Sequence, residues 1–285
     1  MNPNRRLFLK TIAALGAAAT LPSLARAAAA AVAPFPSGAK LATSPRVSVM
    51  VSGGTITKDG QFLPAVGAAH RLHYGQRKKI LLFLHASLPV DWDGAEQKLR
   101  PIFAADGYDV ESVHHWSGRE AIRKIEEAEA FFVSGGETFL LLRTLHETGQ
   151  FEPLRARVLA GTPYNGSSAG CNIAGLHIGG TNDFPVVDVP GRAALGFFPC
   201  VFNPHHPKVG EPEYAARVNK IRNLRRVNPD EIVMGMGNGA VARLHAGRVT
   251  VEAGPVFLYD GPSPRELPLG EVPELTKLVA AEPRR

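Results

Sequence analysis

Cysteine is almost absent from this sequence. Cys171 and Cys200 are the only two in 285 residues. Two thiols build no disulfide framework and nothing around them has metal-ligand spacing, so both read as small structural thiols. Long apolar runs are missing too. The longest, residues 11–24, is interrupted by Pro22 and falls short of the ~20 residues that a membrane-spanning helix needs. Lysine and arginine form no runs interleaved with aromatics, which excludes the usual footprint of a nucleic-acid-binding protein. Net charge is +6, yet Arg5, Arg6, Lys10 and Arg26 supply four of those charges without an acid among them, leaving +2 for the rest. The basic balance belongs to the N-terminus, not to a binding surface.

That N-terminus reads Asn4-Arg5-Arg6-Leu7-Phe8-Leu9-Lys10, then an Ala/Leu-rich stretch, then Ala25-Arg26-Ala27. It has the pattern of a twin-arginine export signal with a small-x-small cleavage site after Ala27. The pattern implies engagement of the twin-arginine export machinery, which carries folded proteins. It also implies a periplasmic or extracellular location and no stable membrane insertion once the signal is removed. Residues 28–45 are rich in Ala, Pro and Ser and read as a linker, residues 46–260 as one globular domain, and residues 261–285 as a C-terminal tail.

In the globular part, Val47–Val51 and Lys79–Leu84 are apolar runs of buried-strand type, the first ending in Ser52-Gly53-Gly54. Helical spacing follows over 94–105, 118–128 and 138–148, alternating with short apolar runs at 109–113 and 130–133. Strand alternating with helix predicts an α/β domain whose mostly parallel sheet is covered on both faces. Residues 175–212 read as irregular, 213–226 as helical, and 232–236, 239–244, 248–251 and 256–259 as strands. Ligands of such sheets bind beyond the C-terminal strand ends, and two of those ends carry Ser134-Gly135-Gly136 and Gly166-Ser167-Ser168.

Gly166-Ser167-Ser168-Ala169-Gly170 follows the short run Pro163-Tyr164-Asn165 and opens a small-residue segment that can form a helix. In G-x-S-x-G the glycines permit a tight strand-to-helix turn that exposes the serine hydroxyl beside backbone N–H groups. Ser168 is therefore a candidate nucleophile. A serine hydroxyl is too weakly acidic to attack an amide unaided, and an imidazole can take its proton near neutral pH. His205, in Asn203-Pro204-His205-His206, is the candidate base.

Together with Gly135-Gly136-Glu137-Thr138-Phe139, Ser168–Asn172 and Thr181-Asn182-Asp183-Phe184-Pro185, these segments resemble the peptidase E family of aspartyl dipeptidases and, more distantly, cyanophycinases. The resemblance runs from about Val47 to Leu244. It implies a three-layer, single-domain fold of the class I glutamine amidotransferase-like type and serine hydrolysis without metal or cofactor. The implied substrates are short peptides bearing an N-terminal aspartate, and a homo-oligomer is compatible with it. Cyanophycinase-like cleavage of β-linked aspartyl material is the alternative activity, and a silent binding protein of the same fold the alternative class.

Carried onto this chain, the resemblance makes Ser168 the nucleophile and His205 its base, with the Ala169 and Gly136 (or Gly135) amides as the oxyanion hole. Arg217 would bind the aspartate side-chain carboxylate, a bidentate task suited to a planar guanidinium. Glu137 stands where relatives carry Asn; it either faces the substrate ammonium group or favours the N-terminus of the following helix, and the helix reading is preferred. Asn238 occupies the position of an orienting glutamate, and an amide oxygen can fix an imidazole while stabilising imidazolium less than a carboxylate does. Asp183 is the alternative orienter, with loop bracing as its structural reading.

The signal has a direct test. Mature protein beginning at Ala28 is expected outside the cytoplasm of the native cell, and Arg5→Lys combined with Arg6→Lys is expected to block export. N-terminal sequencing and cell fractionation read both, and unprocessed protein retained in the cytoplasm rejects the assignment.

Overall fold

The computed structural model describes residues 41–281 apart from residue 43. The export signal and most of the linker lie outside the described residues, and the first described positions already join the domain: the Ala42 N–H donates to Gly196 O at 2.6 Å.

Alternating burial sets the layering. In β1 (Ser48–Ser52), Val49 and Val51 enter one apolar cluster and Met50 the other, as a strand covered on both faces requires. Leu81 and Phe83 oppose Ile80 and Leu82 in β4 (Lys79–Phe83), and Phe131 and Val133 oppose Ala130 and Phe132 in β6 (Ala130–Val133). With β5 (Asp109–Ser112) and β7 (Tyr164–Ser167) these strands form a parallel array in the order β1-β7-β6-β4-β5. Beyond β1 the sheet continues antiparallel through β10 (Val241–His245), β11 (Arg248–Ala253) and β14 (Gly270–Glu271). A hairpin of β2 (Thr57–Lys58) and β3 (Gln61–Phe62) follows β1 in the chain.

Helices α1 (Pro64–Tyr74) and α2 (Trp92–Ala105) cover one face through Val66, Ala69, Tyr74 and Phe103. The other face is covered by α3 (Gly118–Glu127), α4 (Thr138–Glu147), α5 (Phe151–Leu159), α6 (Ala169–Ala174) and α8 (Pro273–Ala281). This is the expected α/β architecture: a mostly parallel sheet between two helical layers.

Two expectations differ from the fold. The stretch 175–212 is not wholly irregular, since β8 (Val201–Pro204) pairs in parallel with β9 (Val233–Met236) in a second, four-stranded sheet. In that sheet β12 is Val256–Tyr259 and β13 Arg265–Glu266. A four-residue strand of sequence VFNP has too little alternation to be seen in advance. Residues 261–285 are not simply a tail: β13, β14 and α8 lie there, and Leu267, Val272 and Leu275 are buried in the main core. α7 (Tyr214–Val227) packs Val218 and Ile221 on the second sheet. Among the described residues no helix is long and apolar enough to cross a membrane.

Two histidines of α1 lie in the interior. The Asn165 Nδ2–H donates to His70 Nε2 at 2.8 Å, and the His73 Nε2–H donates to Tyr164 O at 2.9 Å. Burial pushes both rings down to about 3, so they stay neutral in the folded chain. Unfolding restores values near 6.5, so their contribution to stability is complete above that pH and is lost as pH falls toward 3. Stability is expected to fall by about 1.4 kcal/mol per pH unit for each ring below pH 6. Urea unfolding at pH 7, 6 and 5 reads this, with a shallower slope in His73→Gln. Equal stability at pH 7 and pH 5 would rule it out.

Candidate active site

The two sheets meet at the C-terminal end of β1, where three successive carbonyls each receive one segment. Ser52 O accepts the Ser168 N–H at 3.0 Å, Gly53 O the His205 N–H at 2.8 Å, and Gly54 O the Gly239 N–H at 2.8 Å. Glycine is required here because backbone and ring come so close. A Cβ on Gly53 would lie 2.2 Å from Gly237 O, and one on Gly54, at φ +112°, would lie 2.1 Å from His205 Cε1.

β7 turns through Ser168 directly into α6. Ser168 adopts φ 52°, a left-handed conformation rare for a side-chain-bearing residue. The turn closes because Cβ atoms are missing at both ends. One on Gly166 would come within 2.3 Å of Gly170 O, and one on Gly170 within 2.3 Å of Val133 O. His205 follows β8, also at positive φ (53°), and Asn238 follows the parallel neighbour β9.

These segments bring three side chains into line. Ser168 Oγ is 2.8 Å from His205 Nε2, and His205 Nδ1 is 2.7 Å from Asn238 Oδ1. With Nδ1–H donated to Asn238, Nε2 is left as the lone pair that accepts the serine proton. Ser168 is half-buried while His205 and Asn238 are exposed, so solvent reaches the row. The neighbouring His206 is no competing base. Its Nδ1–H donates to Pro207 O, its Nε2 accepts from Tyr259 Oη, and burial pushes it down to about 4.

Beside the serine stands the turn between β6 and α4. The Gly135 Cα lies so close that a Cβ would be 2.9 Å from Ser168 Cβ, and Gly136, at φ 139°, has no room for one against Ala86 O. Among the described residues the Gly135, Gly136 and Ala169 amides donate to no protein acceptor, whereas the Glu137 N–H is spent on Ala86 O. Free amides flanking a nucleophile can receive a developing oxyanion.

The two remaining acids point elsewhere. Asp183 makes no bond to His205: Oδ2 accepts from Thr138 N, Thr138 Oγ1 and Thr181 Oγ1 at 2.5–2.9 Å, bracing the loop against α4. The orienting role held open for it does not fit this arrangement, because Oδ2 is taken by Thr138 and Thr181 and His205 Nδ1 meets Asn238 instead. Glu137 caps α4, its Oε2 accepting the Leu140 N–H at 2.7 Å, and Oε1 is buried without a partner, so the carboxylate is turned to the helix and not to a substrate ammonium group. Burial, with Asp183 nearby, raises its pKa. Arg217 on α7 donates from Nη1 to Asn203 Oδ1, Pro204 O and His205 O at 2.9–3.2 Å, leaving Nε and Nη2 without a partner among the described residues.

Sequence reasoning missed the part played by Ser52–Gly54 and by Asn172, whose Nδ2 donates to Thr138 Oγ1 and Thr181 Oγ1 and joins the elbow helix to α4. A double glycine after a buried strand was the available signal for the first, the same signal that Gly135-Gly136 gives after β6.

Comparison with known proteins places the chain in a family. The profile of peptidase family S51 matches residues 48–251. The peptidase E of Citrobacter koseri is 36% identical over 199 residues, covering 69% of this chain and 84% of that one. A Drosophila melanogaster protein named "Probable alpha-aspartyl dipeptidase" is 37% identical over 170 residues, covering 59% and 70%. The crystal structure of a peptidase from an acI-B1 actinobacterium superposes with a TM-score of 0.53 at 17% identity, covering 78% of this chain and 97% of that one, a likeness of fold.

The alignment of Ser168, His205 and Asn238 is testable by fluorophosphonate labelling of the serine. Asn238→Ala is expected to slow labelling by about 10–10³-fold, and Gly54→Ala, which drives a methyl into the His205 ring, by about 10²-fold. Asp183→Asn should lower Tm with little effect on the rate. A rate in Asp183→Asn as slow as in Asn238→Ala would contradict this division.

Proposed function

Since the chain belongs to peptidase family S51 and is a serine-type dipeptidase, we propose that it hydrolyses short peptides after an N-terminal aspartate, outside the cytoplasm, using Ser168 as nucleophile and His205 as general base. The observation that carries this reading is the continuous contact from Ser168 Oγ through His205 to Asn238 Oδ1, with the unspent edge of Arg217 beside it.

In this mechanism His205 Nε2 takes the Ser168 proton as Oγ attacks the scissile carbonyl. The oxyanion is received by the Ala169 N–H and by Gly136 or Gly135, each donor worth about 3 kcal/mol. The imidazolium, held by its Nδ1–H on Asn238, returns the proton to the leaving amine, and the acyl-enzyme is opened by water with His205 again as base. Asn238 orients the ring without adding charge. Arg217 offers Nε and Nη2 to the aspartate side-chain carboxylate while Nη1 stays on the His205 backbone.

Ser168→Ala or His205→Ala is expected to lower kcat on Asp-Leu by at least ~10³ in a folded enzyme. Arg217→Ala should cost roughly 2–5 kcal/mol in kcat/KM on Asp-Leu and collapse the preference for Asp-Leu over Asn-Leu. An equal loss on both peptides would assign Arg217 to holding the histidine alone, and faster hydrolysis of isoAsp-Leu than of Asp-Leu would move the reading to β-linked material.

A further inference from the structure

Away from the serine, at the edge of the main sheet, two histidines face two carboxylates. Asp93 and Glu96 sit three residues apart on α2, hence on one helix face. His114 and His115 lie in the single turn that follows β5. His114 Nε2 is 3.0 Å from Asp93 Oδ1 and 3.9 Å from Glu96 Oε2, and His115 Nε2 is 2.6 Å from Glu96 Oε2. The ligating atoms of Asp93, His114 and His115 all lie within 4.8 Å of one another. We propose that Asp93, Glu96, His114 and His115 form a binding site for one divalent transition-metal ion of the zinc class.

The polar partner of His114 Nδ1 is the second observation. Ser112 Oγ donates to Leu82 O at 3.4 Å, so its oxygen is free to accept, and it lies 2.6 Å from His114 Nδ1. In the tautomer that places the proton on Nδ1, that oxygen accepts it and the neutral ring presents a lone pair at Nε2 to the carboxylates; in the other tautomer Nε2–H donates to Asp93 Oδ1. A divalent cation selects the first tautomer, because Nε2 and Asp93 Oδ1, 3.0 Å apart, then both direct lone pairs at it. A ring nitrogen held by a polar neighbour so that the other nitrogen faces the metal is the usual outer-shell arrangement of a ligating histidine. Glu96 is prepared in the same way. Arg100 Nη2 holds Oε1 at 2.6 Å and leaves Oε2 toward the histidines.

The ligand distances fit the ion. Tetrahedral zinc with bonds of about 2.0–2.1 Å sets its ligands about 3.3 Å apart, and the contacts here of 2.6, 3.0 and 3.9 Å bracket that spacing. Two imidazoles with two carboxylates suit zinc and its neighbours in the first transition row; magnesium and calcium prefer oxygen alone. The inner ligands are buried, His114 at 8% and Glu96 at 5% side-chain exposure, whereas Asp93 at 77% leaves the outer side open for entry. The bound ion fastens α2 to the exit of β5, where edge-strand pairing on one side only holds the chain. It is structural and takes no part in the serine chemistry.

The test uses the full chain without a polyhistidine tag, stripped with EDTA, dialysed and titrated with zinc sulfate by calorimetry, with Tm recorded in parallel. One equivalent should bind with Kd at or below about 1 µM and raise Tm. Magnesium should give neither effect. His114→Gln should abolish stoichiometric binding and Ser112→Ala should weaken it by about 10–100-fold. If His114→Gln does not fold, Asp93→Asn at the exposed ligand carries the same test. No uptake by the wild type, equal uptake of magnesium, or an isotherm unchanged in the ligand variants would overturn the proposal and leave the cluster as hydrogen-bonded side chains only.

Discussion

Three consecutive carbonyls at the end of β1 hold this protein's chemistry together. Ser52, Gly53 and Gly54 receive the backbone N–H groups of Ser168, His205 and Gly239, which belong to three segments far apart in the chain. The serine arrives on the main sheet, while the histidine and asparagine arrive on adjacent parallel strands of the second sheet. Without a common anchor the two sheets could slide by an ångström. A displacement of that size is enough to cost about 10² in rate at a nucleophile–base contact. The anchor works because Gly53 and Gly54 have no side chains, so the Met236–Gly237 peptide and the His205 ring can lie directly on the strand end.

The same anchor maintains two strained residues. Ser168 and His205 both have positive φ, a conformation that costs each about 1–3 kcal/mol and persists only where surrounding bonds fix it. The amide of each is held by the β1 carbonyls, and the carbonyl of His205 by Arg217 Nη1 together with that of Pro204. Arg217 is thus part of the frame that holds the imidazole before any ligand arrives. A carboxylate on its other edge would bind to a group already immobilised, with little further loss of side-chain entropy.

Both acids near the serine serve one helix. Glu137 caps α4 and Asp183 accepts the Thr138 N–H one residue later, so two negative groups occupy the positive end of that helix. Their joint effect is to fix the start of α4 and, immediately before it, the Gly135-Gly136 turn whose amides flank Ser168. His205 is oriented by a neutral amide instead, and the ring and its partner are open to water. Solvent therefore contributes to stabilising any charge on the imidazole, which lessens the need for a carboxylate.

Where a function is built by neighbours in the chain, it is legible from residue order. G-x-S-x-G folds one turn by its own glycines, and apolar runs alternating with helical spacing announce a sheet covered on both faces. The roles of His205 and Asn238 rest largely on the family resemblance, whereas Ser168 and the α/β class are visible in residue order. What joins residues distant in the chain is not. Whether Asn238 or Asp183 meets His205 depends on β8 and β9 pairing in parallel, and β8 is too short to carry a pattern. The role of Gly54 exists only once an imidazole from 151 positions away lies on it. The pairing of Glu96 with His115 likewise needs α2 to pack beside the exit of β5. Local backbone preference writes the motifs into the sequence; long-range packing, which no short window of residues encodes, decides which of them touch.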